Sequence, residues 1–359
     1  MNNLNKIRED IKSFNIDSIF ITNQQNVSYL TGFVGLAPSE REGFLFITLQ
    51  KAYLLTFPTY FGLYEKGGDG FITVNITQTK RLSDHLAEIL GIDGVHSIGV
   101  EKENLTVAEL NSLKAKLKAK FVETEGIVEK QRLIKNKIEI QNIKKAAEIT
   151  DLAFEFIKTK IIKGITEKNL ALELEFFLKK TAGDIAFSPI VAFDENAAIP
   201  HYLPTNNHQL TTNNLILLDF GARVNGYCSD MTRVVFLGKA NEHQVKIYET
   251  VLQAQRLALE SVKNGILAKL PDKIAREYIK SHGLPDYPHG LGHGVGLAIH
   301  ERPRLRIGSD EQLLENMVVT VEPGIYLPGD CGVRIEDLVV LRKDGIEILS
   351  KSSKELIIL

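Results

Sequence analysis

The chain has no tryptophan, only two cysteines and only three methionines in 359 residues. Two thiols, Cys228 and Cys331, exclude a disulfide scaffold, although a single bridge between them stays open. No apolar run approaches the length of roughly 18 residues that a membrane span needs. The opening MNNLNKIREDIKSF has no signal-peptide core and meets acids early, so a soluble cytoplasmic protein is expected. An excess of one charge is also missing. Lys and Arg total 43 against 45 acids, a net charge of −2, and no global basic field favours nucleic acid. What is present is ordinary for a globular chain: 44% apolar residues, 27 glycines and 11 prolines. At roughly 150 residues per domain, the length suggests two domains.

The first half alternates between helical and extended patterns. Leu4, Ile7, Ile11 and Phe14 stand at helical spacing, and SIFIT (18–22) reads as a strand. NQQNVSYLTGF is a turn-rich loop with a short helix, and GFLFITL (43–49) and AYLLTF (52–57) suggest a hairpin. Helices are expected over 82–91 and 106–119, with HSIGV (96–100) as a strand between them. This is the rhythm of an α/β layer domain, and it predicts domains at 1–130 and 131–359. The first half holds no GxGxxG or Walker sequence and proposes no chemistry of its own.

A new rhythm starts at residue 133. Ile140, Ile143, Ala147, Ala153, Phe154 and Ile157 mark a helix, and a second one is expected over 242–265, ending at Gly265. Strands are expected at LILLDFGA (215–222), TRVVFLG (232–238), MVVTVE (317–322) and RIEDLVVL (334–341). Charged residues interrupt these apolar strands: Asp219, Asp230, Glu322 and Glu336. His293 stands in the glycine-rich run HGLGHGVG. Charges in apolar strands are costly unless paired or metal-bound. Singly, each has an ordinary account. Asp219 caps a turn near Gly221, Asp230 caps the strand at Thr232, and Glu336 pairs with Arg334. His293 is then a hydrogen-bonded core residue, and Glu322 an exposed one before Pro323. Together, four carboxylates and one imidazole suit a pair of divalent cations, whose charge would neutralise the four acids. Such a pair activates water and polarises a carbonyl.

Three stretches, DFGARVNGYCSDMTR, PHGLGHGVGLAIHERP and TVEPGIYLPGDCGVRIED, resemble the motifs of the metallopeptidase family of proline dipeptidases and Xaa-Pro aminopeptidases. NVSYLTGF resembles the N-terminal domain of the same enzymes. The resemblance implies an α/β (α+β) chain. A creatinase-like α/β domain would be followed by a pita-bread metallopeptidase domain, a curved antiparallel sheet with helices outside. It implies a five-ligand set: Asp219 on one ion, His293 and Glu322 on the other, and Asp230 and Glu336 bridging. The complete set speaks against a creatinase and against a non-catalytic peptide-binding protein, and the N-terminal domain speaks against a methionine aminopeptidase.

The resemblance also implies roles for other residues. His201 would approach the scissile carbonyl, His300 would hold the substrate, and His289 would lie near the prolyl pocket. Arg334 would orient substrate or ligands, and Glu322 would also shuttle the proton. Arg304 is a further pocket candidate that reads more readily as solvent-facing, and Tyr227 and Tyr326 could line the cleft. The expected cofactors are two divalent ions, Mn2+ or Co2+ before Zn2+. The expected partners are proline-containing peptides and a second copy of the chain, with no nucleic acid and no membrane. The wording PHYLP around His201 favours an Xaa-Pro aminopeptidase, with an Xaa-Pro dipeptidase as the alternative.

Overall fold

The computed structural model describes residues 3–359 except 38, 39, 67 and 69. In it SIFI forms the strand Ser18–Ile21, whose side chains alternate between two cores. Ile19 and Ile21 enter one with Leu4, Ile7 and Ile11 of the helix Asn3–Ser13. Phe20 enters the other with Leu86, Ile89 and Leu113 from the helices Leu82–Asp93 and Val107–Lys116. That strand is buried on both faces, which is why it reads as a continuous apolar run. It lies inside a six-stranded sheet ordered Ile72–Asn75, Ala52–Thr56, Gly43–Thr48, Ser18–Ile21, Ser97–Glu101, Lys120–Thr124. The expected hairpin is present, with Gly43 opposite Thr56 and Ile47 opposite Ala52. This compact unit ends at Arg132, and the second runs Leu133–Leu359.

The second unit sets antiparallel strands against four long helices. Lys137–Lys158 begins in a capping box, in which Asn136 accepts from the N–H groups of Ile138 and Glu139 and the Glu139 side chain returns to Asn136. With Glu167–Ala182 it covers one core; Glu242–Ser261 and Lys269–Ser281 cover another. The third of these helices stops four residues short of Gly265. Val262 is 2% exposed and takes an extended backbone, so its branched side chain reaches the core by leaving the helix.

Three groups of strands matter for the site. Asn214–Phe220 lies between Ile190–Phe193 and Met231–Leu237. A second sheet is ordered Glu301–Leu305, Gly292–Gly294, Val318–Val321, Asp337–Arg342, Gly345–Ile348. A third, two-stranded, pairs Gly324–Leu327 with Cys331–Arg334. Two expected strands are therefore broken. The run 215–222 divides at Gly221, and Ala222–Val224 joins another sheet. The run 334–341 divides at Ile335 and Glu336, because Glu336 gives its N–H to the carbonyl of Thr232 (3.2 Å). Next to it the fully buried Asp337 is held by Arg233 at 2.7 Å. Cys228 and Cys331 are both free and lie in different cores, so the single disulfide left open by the sequence does not form. Among the described residues no helix is long and apolar enough to cross a membrane.

Candidate metal centre

Strand pairing brings the acids together. Asp219 stands opposite Thr232 on one neighbour and opposite Ile190 on the other. Asp230 precedes the strand Met231–Leu237 and lies two residues before Thr232, on the same side of the extended chain. His293 occupies the middle of Gly292–Gly294, where the backbone is squeezed between neighbours. A Cβ at Gly292 would meet the Thr320 carbonyl oxygen at 2.1 Å, and one at Gly294 the Arg302 carbonyl oxygen at 2.1 Å. Glu322 follows Val318–Val321 and is fixed by its N–H to the Leu291 carbonyl (2.8 Å). Glu336 sits in the break between two strands.

All five residues line one cavity of about 480 Å3, with His201, His289, His300 and Arg334 also on its walls. Asp230, His293 and Glu336 each bring a donor atom within 4.8 Å of the others. His293 Nε2 lies 3.7 Å from Asp230 Oδ2 and 3.3 Å from Glu322 Oε1. Arg334 is fully engaged. Its Nη2 donates to Asp219 Oδ2 (2.6 Å), Nη1 to the Tyr326 hydroxyl (2.9 Å) and Nε to Thr232 Oγ1 (3.0 Å). Thr232 passes its own proton to Glu336 Oε2 (2.7 Å). Arg334 thus pairs with Asp219, not with Glu336 as the simple pairing account would have it.

The charge balance calls for a cation. Burial, with the other carboxylates adding to it, pushes Asp230 and Glu336 well above the usual carboxylate range. Asp219 is raised by burial although Arg334 opposes the shift. Glu322 moves the other way. Burial raises it, but the hydrogen bond and charge of His293 outweigh that and bring it to about 2. The donors fit a metal on three observations. His293 Nδ1 donates to the Gly294 carbonyl (3.1 Å), which leaves Nε2, facing the carboxylates, as the nitrogen that would bind a cation. Asp219 Oδ1 is buried and has no hydrogen-bond partner. Four oxygen donors with one imidazole are hard-to-borderline chemistry, suited to divalent first-row ions.

The remaining histidines differ in freedom. His201 and His300 are exposed on the cavity wall. The His300 ring stands edge-on to His293 with centroids 4.4 Å apart, and partial desolvation inside the cleft together with the His293 charge brings its pKa down to about 4. His289 is tied at both nitrogens. Nδ1 donates to the Gly290 carbonyl (2.7 Å) and Nε2 accepts from the Tyr326 hydroxyl (2.8 Å), an arrangement that fits the neutral ring favoured by burial. Tyr326 therefore acts behind the wall, and Tyr227 donates to Glu139 (2.9 Å) instead of lining the cleft. Arg304 does line it, as does Arg306.

The metallopeptidase family M24 model matches residues 141–343, and the creatinase/prolidase N-terminal domain model matches residues 3–134. The chain belongs to the M24 metallopeptidases. It is a metal-dependent enzyme with the two-domain architecture of that family, an α/β domain followed by a pita-bread domain. A Pyrococcus horikoshii Xaa-Pro dipeptidase is 35% identical to it, over 98% of this chain and 97% of its own. The structure of an Xaa-Pro dipeptidase from Bacillus anthracis matches with a TM-score of 0.94 at 37% identity, over 99% of each chain. That of an X-Pro aminopeptidase from Thermotoga maritima matches with a TM-score of 0.88 at 32% identity, over 98% of this chain and 100% of the other.

In this M24 chain three further residues, Thr232, Thr320 and Arg306, bear on the site. Thr232 orients Glu336. Thr320 accepts the His293 N–H (3.0 Å) and donates to Glu322 Oε1 (3.0 Å). Arg306 reaches the cavity. The first two carried a signal: each is a polar residue two positions from a candidate ligand in an extended segment, hence on the same face. Thr232→Val is expected to keep the shape and lose the hydroxyl, leaving Glu336 Oε2 and Arg334 Nε unpaired. Metal affinity should fall about 10–100-fold, as outer-shell losses do. Calorimetric titration of metal into the apoprotein checks this, and unchanged affinity would show that Glu336 needs no such support.

Proposed function

We propose that this M24 enzyme is an Xaa-Pro dipeptidase. The observation that carries the reading is the pair Arg304 and Arg306 on the cavity wall, neither guanidinium having an acid partner among the described residues. A dipeptide places its free carboxylate one residue beyond the scissile bond, and arginine is the side chain that grips a carboxylate with two parallel hydrogen bonds. An aminopeptidase must leave that side open for the rest of the peptide. The names of the Pyrococcus and Bacillus relatives support the dipeptide reading; that of the Thermotoga relative supports the aminopeptidase expected from PHYLP.

Asp219, Asp230, His293, Glu322 and Glu336 would hold two divalent ions, manganese or cobalt before zinc, which when bound supply an activated water and a Lewis acid for the scissile carbonyl. Glu322 would carry the proton from the attacking water to the departing proline nitrogen. His300, neutral above about pH 4, and His201 would donate to the oxygen on which charge develops. The proline nitrogen carries no hydrogen in the peptide, so the site must recognise the ring and not an N–H. The substrate's free amino group would meet the acidic end of the cleft. A homodimer in the cytoplasm belongs to the same reading.

The test is a matched series, Xaa-Pro, Xaa-Pro-Xaa, Xaa-Ala and N-acetylated Xaa-Pro, assayed with each metal in turn. Xaa-Pro is expected to exceed Xaa-Pro-Xaa in kcat/KM by about tenfold or more, the worth of one charged hydrogen-bonded contact. The reverse ranking would establish the aminopeptidase. Equal cleavage of the alanine or acetylated peptides would overturn the specificity.

A further inference from the structure

We infer that Arg276, which does not itself line the cleft, is a positioning residue for the wall that carries His289 and Arg306. Its side chain, on the helix Lys269–Ser281, holds four partners. Nε donates to Asp272 Oδ1 (2.9 Å), Nη1 to Asp286 Oδ1 (2.5 Å) and to the Tyr287 carbonyl (2.9 Å), and Nη2 to the His289 carbonyl. The guanidinium also lies 3.9 Å over the Tyr287 ring. Asp272, fully buried, extends the grip. Oδ1 accepts from the Tyr287 hydroxyl (2.7 Å), and Oδ2 accepts the N–H of Ile307 (2.7 Å).

One ion pair therefore joins two separate stretches of chain, 286–290 and 304–307. These supply His289, Gly290, Arg304 and Arg306 to the cavity wall. The hold continues inward, because His289 Nε2 meets Tyr326, Tyr326 meets Arg334, and Arg334 meets Asp219. His293 is held separately, by Thr320 and by the close strand packing around Gly292 and Gly294. Loss of Arg276 leaves two carbonyls without their donor and leaves the buried Asp272, which joins Tyr287 to Ile307, without its counter-charge, so both stretches lose part of their anchor while His293 keeps its own support. Displacement of a substrate-holding group by about 1 Å can cost a hundredfold. Here it falls on the grip of proline and its carboxylate. Lysine is no substitute: a single ammonium cannot span two carbonyls and two carboxylates as the planar fork does.

This rests on the dipeptidase reading, and the experiment separates the two. Arg276→Lys, Arg276→Gln and Asp272→Asn are made in the full-length, metal-loaded enzyme. Metal content, melting temperature, kcat and KM are measured on Xaa-Pro and on Xaa-Pro amide. The expected result is unchanged metal content and a rise in KM for Xaa-Pro of about tenfold or more that exceeds any fall in kcat. The wild-type preference for the free carboxylate over the amide should collapse in every variant that folds, lysine included. A purely structural role would lower the melting temperature and the active fraction equally for both substrates, with KM and the preference intact, and that result overturns the inference. If the wild type shows no preference for the carboxylate, the dipeptidase reading fails. The KM of the amide in the variants then decides Arg276 alone, an unchanged value overturning it.

Discussion

Glu336→Ala is expected to empty the centre and to lower kcat/KM by about a thousandfold or more, the scale of losing a preorganised charged group at the reacting atoms. Glu336 is 2% exposed and shares its donor cluster with Asp230 and His293. As the expected bridge it would touch both ions, so its loss should damage both sites and not one. Elemental analysis after saturation should give about two ions per chain in the wild type and fewer than one in the variant. A second consequence separates this from simple damage. Burial and Glu336 together hold Asp230 well above the usual carboxylate range. Removing Glu336 relieves that repulsion, so the apoprotein should not lose stability in proportion to its activity. Thermal melts of the metal-free proteins check it. A variant that keeps two tightly held ions would show that Glu336 does not bridge.

His201→Ala should leave the ions in place and reduce kcat by about 10²–10³-fold, within the range of a positioned acid–base group. The reason is its placement. His201 is exposed on the cavity wall, so no core is lost with the imidazole. The segment that carries it is secured without it: Tyr202 donates to Glu167 Oε2 (2.7 Å), and the Pro200 carbonyl accepts from Arg334 (3.5 Å). Stability should therefore change by no more than about 0.5 kcal/mol, as at other exposed positions. Steady-state kinetics on the best Xaa-Pro substrate, with metal content measured on the same sample, checks both parts. Unchanged turnover would remove His201 from the chemistry.

Much of the local structure is written in periodicity. SIFI, the hairpin of GFLFITL with AYLLTF, and the long helix beginning at Lys137 all follow from spacing that each segment carries within itself. The weight of Asp219, Asp230, Glu322 and Glu336 was also legible, because a charge in an apolar strand must have a partner. Which partner was not legible. Arg334 stands two residues from Glu336 yet binds Asp219, more than a hundred residues away in sequence, because the chain breaks its strand at Ile335 and Glu336. Arg304 reads from the sequence more readily as solvent-facing, yet the strand Glu301–Leu305 puts it on the cavity wall.

Periodicity and composition thus suffice for a two-part α/β (α+β) chain carrying acids and histidines that have to be compensated, and the motifs suffice for its family. Folding brings five such residues to one cavity, lets Thr232 and Thr320 orient two of them, and lets Asp272 and Arg276 tie down the stretches that carry His289 and Arg306. The division has one physical cause. Secondary structure depends on neighbours three or four residues away, whereas a site is assembled from side chains on several strands and sheets. Its partners are chosen by strand register and by the cost of burying an unpaired charge, quantities that exist only once the chain has folded.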